Sequence, residues 1–325
     1  WRANGHTQIN SRQFIDNLDE ISQPAWNLMD PRTYPILSHG LLNRAHPIAP
    51  VFATRGCPYN CVFCSSKVNM GSKIRMRTPK RIVDEIDLLV KEYGVKEIHF
   101  EDDNFTFYKN FASEVCQGII DRNIKVHWAC PNGVRLDSLD VGLLKLMERS
   151  GCYSFALGIE SGSDRVLNLM KKSVGTGIYR EKIRLIKDNT RIRMTGFFIF
   201  GFPGETEEDI VLSEKFIMGE PLQRIAVGPF IPLPGTQIYD DLVKEKKITQ
   251  EYDWNLLSPY EENIFLSESI KKEKLFQHIR SVHLKFYLRP HIIFKILSEI
   301  NSLSQLKVAL KMFFFWLGIG KIKKH

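Results

Sequence analysis

The chain has 325 residues, 43% of them hydrophobic and 25% charged, a balance that fits a globular protein and excludes a largely disordered one. Its net charge of +8 is uneven: residues 271–325 hold ten Lys and two Arg against Glu273 and Glu299, so this tail carries +10 and everything before it −2. A basic nucleic-acid groove across the body is therefore not expected, no apolar run reaches the ~20 residues of a membrane span, and the polar start is unlike a signal peptide.

In chain order, residues 1–46 hold Pro24, Pro31 and Pro35 among scattered polar residues and read as an extended connector. Beyond Pro47 short apolar runs alternate with amphipathic helices. Val51 to Thr54 predicts a strand, and Thr78-Pro79 opens a helix whose apolar face holds Ile82, Val83, Ile86, Leu89 and Val90. Strand 96–101, a helix near 110–122 and strand 126–130 follow, then a helix capped by Ser138 and stopped at Gly151. Strand 153–160, helices 164–170 and 179–188, strand 192–200, a Thr206-capped helix with acids in its first turn, strand 223–231 and a short helix complete six βα units.

Helical crossovers of this length require parallel strands and an α/β fold. An open doubly wound sheet and a partial barrel both satisfy the pattern. The polar residues favour the barrel, because candidates fall at the end of every strand: Cys57, then Glu101 with Asp102 and Asp103, then Asn132, Glu160, Gly201 and Pro232. The expected architecture is a partial (β/α)6 TIM-like barrel over residues 47–245, preceded by the connector 1–46 and followed by a C-terminal helical extension, 246–325.

Six cysteines are too sparse for a secreted disulfide framework, so a reducing, cytoplasmic setting is expected. Three of them lie within eight residues, in Arg55-Gly56-Cys57-Pro58-Tyr59-Asn60-Cys61-Val62-Phe63-Cys64. Thiolates spaced C-x3-C-x2-C on a loop after the first strand suit an iron-sulfur cluster, and three ligands on four irons leave one iron open to a ligand. Structural zinc would want a fourth Cys or His, and His46 and His99 are distant in sequence. Cys116, Cys130 and Cys152 lack ligand spacing and read as small buried hydrophobes.

This decapeptide resembles the signature of the radical S-adenosylmethionine (SAM) superfamily, and residues 50–241 look like that family's partial barrel. The resemblance implies a [4Fe-4S] cluster on Cys57, Cys61 and Cys64 whose open iron takes the amino and carboxylate groups of SAM. One electron then yields methionine and a 5′-deoxyadenosyl radical that abstracts hydrogen from a substrate. It implies SAM contacts for Tyr59 and Phe63 between the cysteines and for Glu101, Asp102 and Asp103, which stand where the wider family places glycines. Glu160, with Ser161 secondary, matches the position that serves the ribose, and Gly201 lies on the adenine side in Gly201-Phe202-Pro203-Gly204-Glu205-Thr206, a loop that an N-cap alone also explains. Arg135 suits a carboxylate or a salt bridge to neighbouring acids equally.

Carboxylates in place of glycines, together with Phe14 to Asp19 and Pro24-Ala25-Trp26, resemble the cobalamin-associated branch, where such a segment joins a cobalamin-binding domain to the barrel. The chain, which starts at Trp1, is accordingly expected to be a fragment of a protein that uses cobalamin. Expected partners are SAM, an electron donor such as flavodoxin or ferredoxin, and a small-molecule or lipid substrate. A methylthiotransferase is disfavoured, and the competing reading is a scaffold that uses the cysteines structurally. The tail 308–324, with Phe313 to Trp316 between lysines, is expected to pack on the barrel, with weak contact to a membrane surface as the alternative.

Overall fold

The computed structural model describes residues 2–3, 6–7, 13–34, 43–248, 267–300 and 302–316. Six strands, β1 (Ile48–Val51), β2 (Glu97–Phe100), β3 (His127–Val134), β4 (Cys152–Glu160), β5 (Arg193–Phe200) and β6 (Arg224–Pro229), pair in chain order into one sheet. Every pairing is parallel. That order separates the two architectures left open by the pattern. A doubly wound sheet reverses at a switch point, whereas consecutive neighbours joined by right-handed crossovers put every helix on one face and curl the sheet. β1 and β6 are not paired with each other, so the barrel is partial.

The helices are α1 (Ser66–Met70), α2 (Pro79–Tyr93), α3 (Lys109–Asp121), α4 (Val141–Arg149), α5 (Asp164–Leu169), α6 (Thr176–Asn189), α7 (Glu207–Gly219), α8 (Gln237–Lys244), α9 (Lys272–Tyr287), α10 (Pro290–Glu299) and α11 (Leu303–Trp316). Several expected boundaries change. β1 starts and ends three residues early, because Thr54 and Arg55 leave the sheet to pair with Arg75 and Met76. The cap of α4 is Asp140, whose carboxylate accepts from Leu143 N, while Ser138 lies in a preceding 3-10 turn. Thr78 makes no side-chain cap; its own N–H is received by Asp19 of the connector. Thr206 caps α7 in a full capping box with Asp209.

Side chains alternate between the helix layer and the barrel interior. On the helix side Phe100 stacks on Phe105 at 4.4 Å, and Trp128 meets both rings edge-on at 5.3 and 5.7 Å. Cys116, Cys130 and Cys152 are buried in this layer. The connector is bound rather than loose: Trp26 is buried and donates its Nε1–H to Glu85 of α2, which also pairs with Arg77.

α9 covers the free edge of β6. Tyr287 Oη accepts from Ile225 N at 3.1 Å and donates to Ile225 O at 2.7 Å, and His283 Nε2 accepts from Val227 N at 3.4 Å. The polar backbone of an edge strand is thereby satisfied by helix side chains. α10 then carries Glu299 to Arg193 and Arg224 at the N-terminal ends of β5 and β6, and Gln305 of α11 donates to Asn43 O. The expected packing of the aromatic tail is not complete: Phe313 and Phe314 are exposed, as are Phe294, Leu297 and Leu303. The side chains of Phe315 and Trp316 and residues 317–325 lie outside the described residues, as do residues 249–266 of the extension.

Candidate active site

The three cysteines sit on the loop 56–74, closed at its base by the Thr54–Arg55 and Arg75–Met76 pair. Gly56 has φ +99°, and a Cβ there would lie 2.2 Å from Lys73 O, so the loop closes only around a glycine. Cys57 N donates to Gly71 O, Val62 N to Met170 O and Ile238 N to Val62 O, at 3.1 to 3.2 Å. These bonds tie the loop to the ends of α5 and α8 and thus across the strand C-terminal ends.

Asp102 supports this loop from below rather than facing a ligand. It is 2% exposed; Oδ1 accepts from Ala53 N at 2.9 Å, and Oδ2 accepts from Thr54 N and Oγ1 at 2.7 and 2.8 Å. Burial pushes its pKa up to about 7, against hydrogen bonds that favour the charged form. Both oxygens of Asp102 accept from the turn after β1. Its neighbours differ. Asp103 is half-buried and accepts from Ser66 Oγ of α1 at 2.7 Å, two residues from Cys64. Glu101 is half-buried and accepts from the exposed Asn132 Nδ2 at 2.9 Å.

Within the loop, the Tyr59 ring lies under the Arg135 guanidinium at 3.5 Å and meets Phe107 edge-on at 5.9 Å. Arg135 in turn forks onto Asp137 at 3.0 and 2.8 Å, so its salt bridge is local and its flat face serves Tyr59. Phe63 is half-buried against the small cluster of Val62, Val166, Met170 and Phe202.

On the opposite wall, Glu160 ends β4 at φ +69°, a conformation that costs a non-glycine residue about 1–3 kcal/mol. Its Oε1 accepts from Lys172 Nζ at 3.2 Å, with side chains 11% and 10% exposed. Burial opposes the Lys172 charge, but the Glu160 carboxylate, with Tyr179 and Cys61 adding to it, holds the ammonium above its ordinary pKa. Lys172 escaped the sequence reading because the loop after α5 returns it to the strand end, and the dipeptide Lys171-Lys172 reads as solvated charge.

Two further expected contacts turn inward. Ser161 is fully buried; its Oγ lies 3.1 Å from Ser213 Oγ of α7 and accepts from Ser163 N. It locks α7 to the end of β4. Gly201 has φ +78°, and a Cβ there would meet Leu275 of α9 at 2.7 Å, so this glycine makes room for the C-terminal extension. Its N–H and that of Phe202 donate to Glu205 Oε2, a buried carboxylate whose pKa burial raises to about 8.

Among the described residues no three His, Cys, Asp or Glu side chains are gathered for one metal ion. A four-iron cluster asks instead for three thiolates, each on a different iron. The loop fits that demand. Ser66 N–H points at Cys64 Sγ at 3.5 Å, a backbone N–H of Tyr59 serves Cys57, and hydrogen bonds to sulfur are a lever on cluster potential. Without iron, burial pushes the Cys57 thiol up and that of Cys64 to about 11, with Asp103 and the neighbouring thiols adding to it.

The comparisons agree with this geometry. The model of the radical SAM superfamily matches residues 51–217, just over half of the chain, and the chain belongs to that superfamily, whose members use a [4Fe-4S] cluster and SAM. An uncharacterized methyltransferase of Pyrococcus horikoshii is 29% identical over 290 residues, covering 89% of this chain and 60% of that protein. The anaerobic magnesium-protoporphyrin IX monomethyl ester cyclase of Rubrivivax gelatinosus is 27% identical over 274 residues, 84% of this chain and 47% of its own length. Among solved structures, the radical SAM methyltransferase TsrM from Kitasatospora setae, with cobalamin and a [4Fe-4S] cluster bound, superposes with a TM-score of 0.61 at 16% identity, covering 75% of this chain and 53% of TsrM. The chain spans about half the length of the curated relatives it matches.

Proposed function

We propose that Cys57, Cys61 and Cys64 hold the [4Fe-4S] cluster at the barrel mouth, that SAM lies across the strand ends, and that the chain starts radical chemistry on an organic substrate. The observation that carries this reading is the glycine-closed cysteine loop with N–H donors at its sulfurs, facing the strained Glu160. The cluster, reduced by a flavodoxin- or ferredoxin-like donor, supplies the electron that cleaves SAM. The chain's own residues orient the cofactor. Lys172 fixes one oxygen of Glu160 and leaves the other for the ribose hydroxyls, while Asp103 and Glu101 face SAM's amino group. Phe63 and Tyr59 shield the loop, and Asp102, Ser161 and Gly201 act as positioning residues.

The cysteine loop is braced from outside by the connector. Arg75 donates to Ile15 O and lies 4.7 Å over the Phe14 ring, and a Cβ on Gly71 would touch Phe14 at 3.1 Å. With methyltransferase and cyclase relatives of about twice the length, this supports a reading in which residues 1–46 join a cobalamin domain to the barrel, 47–245, and 246–325 are an extension. Methyl transfer or cyclisation would then be the reaction class. Exposed Phe294, Leu297, Leu303 and Phe314 beside Lys307 and Lys311 favour a peripheral membrane contact for the extension, although no helix among the described residues is long and apolar enough to cross a membrane.

Anaerobic reconstitution tests the reading. Iron and sulfide near four per chain, with 5′-deoxyadenosine formed from SAM on adding dithionite, is the expected result. S-adenosylhomocysteine on adding cobalamin would mark the methyl-transfer branch. A chain that takes up only stoichiometric zinc and does not bind SAM is instead the scaffold.

A further inference from the structure

The last two helices are anchored on one side and open on the other. Glu299 of α10 reaches Arg193 and Arg224, where β5 and β6 start. Gln305 of α11 donates to Asn43 O, and the next two N–H groups after Asn43, those of Arg44 and Ala45, are received by Glu97 at the start of β2. Both helices are thus pinned to the N-terminal ends of the strands, the floor of the barrel. Their other faces are apolar. On α10 Ile293, Phe294 and Leu297 are exposed, Phe294 by 75%. On α11 Leu303, Leu310 and Phe314 stand at i, i+7 and i+11 of one face, Leu303 exposed by 76%, while Gln305 is buried on the opposite face. Single exposed apolar residues are ordinary, whereas a set on two consecutive helices marks a contact surface.

The lysines decide what kind of surface. Lys307 stands at i+4 of the same face of α11, between Leu303 and Leu310, and Lys311 flanks Phe314; both are exposed. A partner protein covering this face would desolvate Lys307 at its centre, and the cores of protein interfaces are depleted of lysine. At a lipid surface the same pattern gains, because the aliphatic stem lies with the apolar residues while the ammonium reaches the headgroups. Acids are scarce as well. Residues 271–325 hold only Glu273 and Glu299 against twelve Lys and Arg, and two arginines hold the Glu299 carboxylate. Lys321, Lys323 and Lys324 follow in the sequence. Charge and apolar pattern together complement an anionic headgroup layer.

We infer that α10 and α11 lie in the interface of an anionic lipid surface, with the floor of the barrel turned towards it and the cysteine loop away from it. This deepens the peripheral contact proposed above, on which it rests, by fixing its lipid and its orientation. β5 runs about 23 Å from Arg193 at the floor to Phe200 at the mouth, at about 3.3 Å per residue. That is well beyond the Debye length of roughly 8 Å at physiological salt, so the mouth opens to water outside the field of the headgroups. An electron donor and a substrate then reach the mouth from the aqueous side.

Co-sedimentation of the full chain with phosphatidylcholine vesicles, with and without phosphatidylglycerol as a third of the lipid, tests the surface. The expected result is saturable binding to the anionic vesicles, little to the neutral ones, and release as ionic strength rises. Lys307→Gln with Lys311→Gln weakens partition about thirtyfold, at about fivefold per lysine. Phe294→Asp with Leu303→Asp weakens it at least as much, and Lys80→Gln, exposed on α2, leaves it unchanged. These side chains are exposed, so the thermal midpoints of the variants stay near that of the wild type. Orientation is read from the exposed Cys64 in the iron-free chain, which a water-soluble maleimide alkylates at the same rate with and without anionic vesicles. No binding to anionic vesicles, or equal binding to neutral ones, overturns the inference. A lipid-free dimer that Phe294→Asp dissociates also overturns it, since a second copy then covers the face, and protection of Cys64 by vesicles overturns the orientation. No arm needs a cluster, so vesicle binding by a chain that assembles none counts against the radical chemistry and not against this surface.

Discussion

The two ends of the barrel solve opposite problems with similar residues. At the mouth, functional groups hang on irregular backbone: Gly56 at φ +99°, Glu160 at +69° and Gly201 at +78°. At the floor, strands start regularly and long side chains close the space by pairing with one another, Arg193 and Arg224 on Glu299 and Tyr153 on Glu97. If the mouth holds the cofactor as proposed, disturbing its backbone should cost chemistry before stability. The floor holds fold and extension together, and there the order should be reversed.

Substituting any one of Cys57, Cys61 and Cys64 by Ala should have the largest effect, abolishing iron retention and SAM cleavage while leaving the unfolding midpoint of the iron-free chain within a few degrees. A large stability loss in the iron-free state would break the contrast. Lys172→Met comes next. It leaves Glu160 buried without its cation, at a cost of about 3 kcal/mol, read as weaker SAM binding in calorimetry together with lowered stability. Recovery of SAM affinity in Lys172→Arg, which restores the charge, would sharpen the assignment; equal loss in both variants would point to packing alone.

Glu205 gives the pH arm. Its folded pKa of about 8 lies above the unfolded value of 4.5, so the folded state holds a proton that the unfolded state has released. The contribution of Glu205 to stability is therefore complete below pH 4.5 and lost as pH rises towards 8. Glu205→Gln keeps an acceptor for Gly201 and Phe202 without the titration. It should match the wild type near pH 5 within about 1 kcal/mol and exceed it at pH 8 by about 3 to 4 kcal/mol in denaturant unfolding. A difference that does not change with pH would remove this account of the turn after β5.

The smallest effect belongs to the floor. Tyr153→Phe removes one of four donors to Glu97 and should lower stability by about 1.5 kcal/mol, with SAM cleavage per cluster unchanged. A fall in cleavage per cluster would show that floor and mouth are coupled.

Much of the fold was legible because its signals are short-range. Period-2 and period-3.6 patterns marked six strands and their helices, and the cysteine spacing marked the loop, all within windows of about ten residues. The cap of α4 was misplaced by two residues because Ser138 and Asp140 both suit a cap, and only the chain's path through the 3-10 turn selects Asp140. Asp102 and Asp103 are adjacent and chemically identical, yet the path of the chain beyond β2 sends one into the turn after β1 and the other towards α1.

By itself, the sequence determined the class of chemistry and the α/β alternation, since ligand spacing and periodicity are properties of consecutive residues. The polar strand ends already favoured the barrel over the open sheet, and the structure places the strands in chain order. It also joined residues far apart in the chain: Lys172 to Glu160, Ser161 to Ser213, Trp26 to Glu85, and Glu299 to two arginines. Such pairs depend on the curl of the sheet and the path of the extension, and no local window carries either.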